Sequence, residues 1–323
     1  MKKLLTTFSF LTLTMGSSFI STTHNTNEVK LINNFNNING YQEKTMFSKL
    51  INTGLQHDLL HCWTNVDGKI YAGAGNGLWK STNGNTFTEI KNTGINFDTK
   101  NISSLLNVNG IIYLSTYLKN VTKYNEIKSP YATDWYKSID GGNTFTEIKN
   151  TGLRGLFVSS LLNVDGTIYA GTNDGLWKST DGGNTFNKIS TVNIYGKISS
   201  LVTTSDGTIY ALSSAPSSTE GLWKSTDGGN TFNKISTVNI YGKISSLVTT
   251  SDGTIYAGVE NFDDLNNLGG LYQSIDNGNT FTEIKNTGIT LNEKKLPVFN
   301  LLNLNDTIYA SSIAGSLLYK QNN

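Results

Sequence analysis

The sequence predicts an all-β fold, a six-bladed β-propeller whose blades are four-stranded antiparallel sheets. Three observations support this prediction. A short phrase recurs six times, turn-forming Gly and Asx residues separate short alternating segments, and an N-terminal segment supplies the piece that the last repeat lacks. The 323 residues of the chain leave room for a signal segment and six repeats of about 47 residues each. The 32 Gly and 3 Pro are consistent with a chain that has many turns.

Two phrases define the repeat. The first is Ile-Tyr followed by small or apolar residues, at residues 70–71, 112–113, 168–169, 209–210, 255–256 and 308–309. The second is an apolar residue and an aromatic before Lys-Ser or Gln-Ser, at residues 78–81, 135–138, 176–179, 222–225 and 271–274, with a shortened copy at 318–320. Self-similarity at this period is typical of propellers and solenoids.

Each repeat contains four short segments, named A to D here. In the third repeat, segment A is 158–164, B is 167–171, C is 176–179 and D is 185–190. Asp165-Gly166 predicts a tight hairpin turn between A and B, and Asp181-Gly182-Gly183 predicts the turn between C and D. A sheet of four such short strands cannot bury both faces alone, so we expect the six sheets to stack around an axis.

The ends of the repeat predict how the ring closes. The sixth repeat has segments A (298–304), B (307–311) and C (316–320) but no D, whereas residues 46–54 align with the D segment at 86–94. An N-terminal strand that completes the last blade removes two free sheet edges. We therefore expect a ring closed by that strand.

The N-terminus and the cysteine content predict an exported protein. Residues 1–21 have the basic start and short apolar stretch of a signal peptide, residues 22–44 form an Asn-rich leader that we expect to be flexible, and residues 45–323 form the propeller. Cys62 is the only cysteine, so no intramolecular disulfide can form. We expect a secreted, extracellular protein with no membrane span after signal removal. The net charge of +1 gives no reason to expect a nucleic-acid partner.

The turn between C and D resembles a known motif. It reads Ser-Thr-Asp-Gly-Gly-Asn-Thr-Phe at 179–186 and recurs at 138–145, 225–232 and 274–281, with a shortened copy at 81–87 in which Asn83 replaces Asp. This pattern is similar to the Asp-box, or bacterial neuraminidase repeat (BNR). Proteins with this repeat include sialidases, xyloglucan-degrading glycosidases, sortilin-type receptors and photosystem assembly factors. The resemblance implies a propeller fold from about residue 46 onward, but no particular activity.

The resemblance also implies a structural role for the Asp-box aspartates Asp140, Asp181, Asp227 and Asp276. An Asp at such a place can accept hydrogen bonds from backbone N–H groups of its own turn, and Gly supplies positive φ. A calcium loop is the competing interpretation, but each turn carries one carboxylate, which disfavours it. We expect no metal and no cofactor.

Aromatic residues outside the repeat predict a binding surface. The connections from D to the next A and from B to C emerge at one end of each blade, which we call the variable face because these loops differ in length. The turns from A to B and from C to D emerge at the opposite end, the tight-turn face.

Long loops on a rigid scaffold commonly form ligand sites, and sugar rings stack on aromatic side chains. The candidate ligand-binding residues are Tyr117, Tyr124, Tyr131, Trp135, Arg154, Phe157, Tyr195, Lys197, Tyr241, Lys243 and Phe262. The simpler alternative is that these aromatics only anchor the loops.

We expect no catalytic residues. Sialidases of the resembling family bind the substrate carboxylate with three arginines, and Arg154 is the only arginine in this chain. A glycosidase that uses two carboxylates is an alternative function for this chain. Its candidates on the variable face are Asp58, Asp98, Glu126, Asp134, Asp174, Glu220, Glu260, Asp263 and Asp264.

The leading hypothesis is a non-enzymatic, lectin-like or adhesin-like protein that binds glycan or a cell-surface protein. A protein-assembly scaffold and a glycoside hydrolase are the alternatives.

One stretch of the chain occurs twice. Residues 175–211 and 221–257 are identical over 37 positions, including the loops at 192–197 and 238–243. A recent duplication is the simplest explanation. It also predicts equivalent Tyr and Lys sites on adjacent blades, which suits multivalent binding of a repeated ligand.

Overall fold

The structure is a computed structural model that describes residues 45–55, 60–119, 133–189, 194, 196–214, 220–237, 239–261, 269–291, 294–312 and 317–322. The segments predicted to be a signal and a leader, 1–21 and 22–44, lie outside these residues. Every regular element that is described is a β-strand. Across the same residues, no helix is long and apolar enough to span a lipid bilayer.

Six four-stranded antiparallel sheets form the blades, as the sequence predicts. The first described strand is β1 (Phe47–Lys49), which belongs to the sixth blade. The strands of blades 1 to 3 are β2 (Leu60–Val66), β3 (Lys69–Ala74), β4 (Gly77–Ser81) and β5 (Thr88–Ile90); β6 (Lys100–Val108), β7 (Ile111–Leu118), β8 (Asp134–Ser138) and β9 (Thr146–Glu147); β10 (Val158–Val164), β11 (Thr167–Thr172), β12 (Gly175–Ser179) and β13 (Asn187–Lys188).

Blades 4 to 6 follow the same order. Their strands are β14 (Ile198–Thr203), β15 (Ile209–Ser213), β16 (Gly221–Ser225) and β17 (Asn233–Lys234); β18 (Lys243–Thr249), β19 (Ile255–Glu260), β20 (Gly269–Ser274) and β21 (Thr282–Glu283); and, after the small hairpin β22 (Thr290–Leu291) and β23 (Lys294–Lys295), β24 (Asn300–Leu304), β25 (Thr307–Ser312) and β26 (Leu317–Gln321). The hairpin of β22 and β23 was not predicted from the sequence.

The first strand pairs with the last. β1 lies antiparallel to β26, with Phe47 opposite Gln321 and Lys49 opposite Tyr319. The backbone N–H of Leu50 also donates to the carbonyl oxygen of Leu318 at 2.8 Å. The sixth sheet therefore has the order β1-β26-β25-β24, and β1 is its outermost strand.

Hydrophobic packing joins each blade to the next. There are six buried clusters, and each combines residues of two neighbouring blades. One of them places Leu302, Tyr309 and Leu318 of blade 6 against Leu60 and Ile70 of blade 1. The first strands of successive blades also contact one another, and β24 contacts β2 in the same way. The six blades therefore surround a common axis with their segment A strands innermost.

Serine side chains add hydrogen bonds between innermost strands. Ser160 accepts from the backbone N–H of Leu201 in the next blade at 3.0 Å. In the same way, the backbone N–H of Leu247 donates to Ser200 Oγ at 3.3 Å, and that of Leu301 donates to Ser246 Oγ at 3.1 Å. A small hydroxyl at this register reaches the neighbouring backbone without separating the strands. The interfaces thus bury satisfied polar groups beside the apolar clusters.

Local turn chemistry explains where the strands end. In blade 3, Asp165 has φ 49° and Gly166 has φ 84°. Two successive positive φ values define a type I′ turn, whose twist matches that of paired strands. β10 has the predicted bounds of segment A, whereas the outermost strand β13 is much shorter than the predicted segment D.

Candidate functional site

The four turns that resemble the Asp-box are closed networks of hydrogen bonds on the tight-turn face. Asp181 Oδ1 accepts from the backbone N–H of Thr185 at 2.9 Å and from Ser179 Oγ at 2.7 Å. Its Oδ2 accepts from Thr185 Oγ1 at 2.6 Å, and Ser179 Oγ accepts from the N–H of Gly183 at 2.9 Å. Asp140, Asp227 and Asp276 make the corresponding bonds to hydroxyl and N–H donors of their own turns.

These bonds leave the aspartates strongly acidic. The Thr185 hydroxyl, the Thr185 N–H and the Ser179 hydroxyl lower the pKa of Asp181 to about 2, because all three stabilise the ionised carboxylate. Asp140, Asp227 and Asp276 have the same lowered pKa for the same reason. Among the described residues, no cluster of three or more His, Cys, Asp or Glu side chains could hold a metal ion.

A row of side chains crosses four blades on the variable face. We call it the cross-blade row: His61 of blade 1, Tyr117 of blade 2, Phe157 of blade 3 and Lys197 of blade 4. The rings of His61 and Tyr117 are stacked with centroids 6.1 Å apart, and Tyr117 meets Phe157 edge to face at 5.2 Å. Lys197 Nζ lies over the Phe157 ring, 5.6 Å from its centroid. The blade order thus brings together residues from four different repeats.

His61 is held as a neutral ring. Burial and the positive charge of Lys119 lower its pKa, while a hydrogen bond to the Ile102 carbonyl oxygen opposes them. That carbonyl lies 3.0 Å from Nδ1 and can only accept, so Nδ1 carries the proton and Nε2 carries the lone pair. Burial also raises the pKa of the neighbouring Tyr117, although a hydrogen bond from Asn101 opposes this. Both rings are therefore uncharged at neutral pH.

Positive charge concentrates at the end of the row. Burial lowers the pKa of Lys197, and the ammonium of Lys243 lowers it further, while Glu260 acts in the opposite direction. Lys243 Nζ lies 3.7 Å from Glu260 Oε1. Among the described residues, two ammonium groups and one carboxylate therefore lie near the variable-face ends of blades 4 and 5.

Some predicted candidates lie in this region and others do not. Tyr117, Phe157 and Lys197 belong to the row, and Lys243 adjoins it. Arg154 is exposed on the connection from blade 2 to blade 3. Tyr241 is 71% exposed, and its backbone N–H donates to the Tyr272 hydroxyl at 3.4 Å. The predicted candidates Tyr124, Tyr131, Tyr195 and Phe262 lie outside the described residues.

Trp135 was wrongly predicted as a surface binding residue. It is only 2% exposed, its Nε1–H donates to the Gly183 carbonyl oxygen at 2.9 Å, and its ring packs on Tyr113 and Phe186. Trp135 stands where other repeats have a buried Leu such as Leu176. The position of Trp135 within the repeat therefore predicts its burial, whereas its place beside a long loop does not.

His61 and Glu260 were not among the predicted binding residues. His61 stands at the position where four of the five other repeats have Ser103, Ser159, Ser199 and Ser245 and the sixth repeat has Phe299. Glu260 follows the point where the two identical copies diverge, and blade 4 has Ser214 in its place. Departure from the repeat is the signal that could have identified both.

The described carboxylates of the variable face are mostly paired with lysines. Asp134 lies 2.7 Å from Lys100 Nζ, and Asp174 lies 2.7 Å from Lys188 Nζ. Glu220 lines a depression of 480 Å³ at the outer edge of blade 4, which contains none of the row residues. Among the glycosidase candidates, Asp58, Glu126, Asp263 and Asp264 lie outside the described residues.

Comparison with known proteins supports the propeller class. No protein-family model matches the chain, and no curated protein matches it. A structure of YCF48 bound to D1 peptide has 13% identity and a TM-score of 0.54, covering 87% of this chain and 98% of that one. The GH74 xyloglucanase of Xanthomonas campestris has 12% identity and a TM-score of 0.58, covering 86% and 54%. An extracellular domain from B. thetaiotaomicron has 16% identity and a TM-score of 0.52, covering 87% and 40%.

These similarities define the fold only. At such low identity, fold is shared by proteins of unrelated activity. The matched region also spans only 54% of the xyloglucanase and 40% of the extracellular domain. The protein is therefore an all-β, six-bladed propeller, and its activity has to be argued from its own side chains.

Proposed function

We propose that the protein is an exported, non-enzymatic recognition protein that binds glycan or a cell-surface protein through its variable face. The observation that carries the proposal is the cross-blade row, in which His61, Tyr117, Phe157 and Lys197 of four repeats form one series of ring and cation contacts. Aromatic and cationic groups on a rigid scaffold are suited to binding saccharides and polar partners.

Two further features support export and surface recognition. Residues 1–21 have the pattern of a signal peptide. One structural neighbour is an extracellular domain. A face made of variable loops opposite a face of uniform turns also separates the binding role from the structural role, because changes in the loops leave the blade turns untouched.

The proposed lack of catalysis follows from the carboxylates. A glycosidase of the common kind needs an acid and a second carboxylate on either side of one bond. Asp134, Asp174 and Glu260 each form an ion pair with a lysine of the protein itself, so these three carboxylates already have partners. We therefore favour binding over hydrolysis.

A glycan array and a pull-down of cell-surface proteins test the proposal, both with the purified protein. Tyr241→Ala removes an exposed ring from the variable face, and Ile139→Ser is the matched control on the tight-turn face, where Ile139 is 80% exposed. We expect Tyr241→Ala to weaken binding and Ile139→Ser to leave it unchanged. The opposite result, or no bound ligand in either experiment, would contradict the proposal.

A protein-assembly scaffold is the second candidate function. It is favoured by the similarity to YCF48, whose structure is bound to a peptide and matches over nearly its whole length. A large protein interface that forms without any dependence on sugar would support this function instead. The third candidate is a glycoside hydrolase, which the similarity to GH74 enzymes keeps open. Turnover of a polysaccharide panel, abolished by Asp or Glu substitutions, would establish it.

A further inference from the structure

Lys197 and Lys243 form a pair that the fold creates from a duplicated sequence. They occupy the same position in the two identical stretches 175–211 and 221–257. Each stands at the start of an innermost strand, one before β14 and the other opening β18, so both lie on the variable face of adjacent blades. These two strands are neighbours, since the backbone N–H of Leu247 in β18 donates to Ser200 Oγ of β14 at 3.3 Å, and the charge of Lys243 acts on Lys197.

The two lysines have different surroundings despite their identical flanking sequence. Lys243 is exposed and its Nζ lies 3.7 Å from Glu260 Oε1. Lys197 is half-buried over the Phe157 ring, and among the described residues no carboxylate lies within 4 Å of its Nζ. The described residues of the junction therefore include two positive charges and one negative charge.

A half-buried ammonium without a carboxylate partner is costly for the folded protein. Removal of water from a charged group is unfavourable unless an opposite charge compensates for it, and the lowered pKa of Lys197 has the same origin. An external anion placed between Lys197 and Lys243 would supply that compensation. Because the partly buried site is less screened than open surface, the anion would interact with both lysines strongly.

An exposed aromatic ring lies on the same loop as Lys243. Tyr241 precedes Lys243 by two residues, and it is the only aromatic among the exposed large hydrophobic side chains of the described residues. A pyranose ring presents C–H groups that stack on an aromatic face, whereas an acidic peptide has no such requirement. The ring therefore favours a saccharide over a peptide as the carrier of the anion.

We propose that the junction of blades 4 and 5 binds an anionic saccharide, with its carboxylate or sulfate between Lys197 and Lys243 and its sugar ring on Tyr241. This proposal rests on the proposed recognition function and names the ligand class for that same face. The charged group provides selectivity over neutral sugars, and Tyr241 contributes to the affinity for any sugar.

Isothermal titration calorimetry with the purified protein tests the assignment. The ligands are an oligogalacturonate, its fully methyl-esterified neutral form, a sulfated heparin oligosaccharide and a poly-glutamate peptide. We expect at least one of the two anionic saccharides to bind about tenfold or more tightly than the neutral form. The carboxylated and sulfated ligands distinguish the two anion types.

Substitutions locate the site. Lys197→Met and Lys243→Met keep the length of the apolar stem, and each should weaken binding of the anionic saccharide about tenfold without changing binding of the neutral form. Lys178→Met is the matched control, because Lys178 lies on β12 away from the variable face and its loss changes the net charge equally. Equal weakening by Lys178→Met would overturn the proposal.

The remaining outcomes separate this inference from the proposed function. Equal binding of neutral and anionic saccharides, both weakened by Tyr241→Ala, would overturn the anion site and leave the recognition function standing. Binding of poly-glutamate with no saccharide bound would overturn the saccharide assignment. If none of the four ligands binds, the inference fails, and the glycan array and pull-down decide separately whether the recognition function fails with it.

Discussion

The hydroxyl of Tyr169 donates a 2.8 Å hydrogen bond to the carbonyl oxygen of Gly228, 59 residues later in the chain. Gly228 lies in the turn between segments C and D of the next blade, so this bond joins blade 3 to blade 4. The Tyr hydroxyls of three other blades make the corresponding bond to the following blade: Tyr71 to Gly141, Tyr113 to Gly182 and Tyr210 to Asn277. The recurring Ile-Tyr phrase therefore carries a contact between blades as well as a core side chain.

Tyr169→Phe should destabilise the protein by about 1 to 3 kcal/mol, because it removes the donor and leaves the Gly228 carbonyl without this partner. Urea unfolding followed by fluorescence measures the change. Tyr256→Phe is the matched control, because no hydrogen bond of the Tyr256 hydroxyl is found among the described residues. Equal losses of stability in the two variants would contradict this role of the hydroxyl.

The strand order could be predicted from the sequence because it depends on local signals. Asp165-Gly166 requires positive φ at two successive residues, and that requirement is visible in the residue types. The bounds of β10 were accordingly predicted to the residue. The number of blades followed from counting the same signals along the chain.

Contacts between blades could not be predicted in the same way. Lys197 and Lys243 have identical flanking sequence, yet one lies over Phe157 and the other lies beside Glu260. These differences come from residues outside the copied stretch, which only the three-dimensional arrangement of the blades brings into contact. The cross-blade row depends on the same arrangement, which explains why His61 was not predicted as part of it.

The acid sensitivity of the protein should depend on the carboxylates of Asp140, Asp181, Asp227 and Asp276. The folded pKa of Asp181 is about 2, whereas an unfolded Asp has a pKa of about 3.9. A lowered folded pKa means that the stabilisation is fully present above about pH 4 and is lost as the pH falls toward 2. We expect NMR titration of the Asp181 carboxyl carbon to give a midpoint near 2 and the thermal stability of the protein to fall over the same range.

Asp181→Asn and Asp181→Ala separate charge from hydrogen bonding. The turn of blade 1 already has Asn83 at this place, where its Oδ1 accepts from the N–H groups of Asn85 and Thr86 at 2.9 Å. Asp181→Asn should therefore keep most of the stability at pH 7 and reduce the loss of stability as the pH falls toward 2. Asp181→Ala should lower the melting temperature both at pH 7 and near pH 2. An unchanged pH profile in Asp181→Asn would show that this carboxylate does not contribute to it.

Removal of the first strand should disrupt the sixth blade. Phe47 is 1% exposed in a cluster with Leu301 and Tyr319, and its N–H donates to the Thr287 carbonyl oxygen at 2.8 Å. A chain that begins at residue 56 lacks β1, exposes the edge of β26 and should unfold at a lower temperature with a broader transition. Phe47→Ala should cost about 3 to 5 kcal/mol in the full chain.

A chain that begins at residue 44 is the matched control for this truncation. It keeps β1 and the whole compact unit that begins at Lys44, so its melting should equal that of the full chain. Calorimetry of both shortened chains makes the comparison. Unchanged melting of the chain that begins at residue 56 would contradict closure of the ring by β1.

The pKa of Lys197 should respond in opposite directions to its two charged neighbours. Burial and the ammonium of Lys243 lower this pKa, and Glu260 raises it. Lys243→Met should therefore raise the pKa of Lys197, because the protonated form loses a repulsion, and Glu260→Gln should lower it, because the protonated form loses an attraction. NMR titration of the ¹³Cε signals of lysine, with the Lys197 signal assigned by its loss in Lys197→Met, measures both shifts. Lys178→Met should leave the signal where it is. A pKa of Lys197 that did not move in Lys243→Met would mean that the two ammonium groups do not share one electrostatic site, and a single anion could then not interact with both.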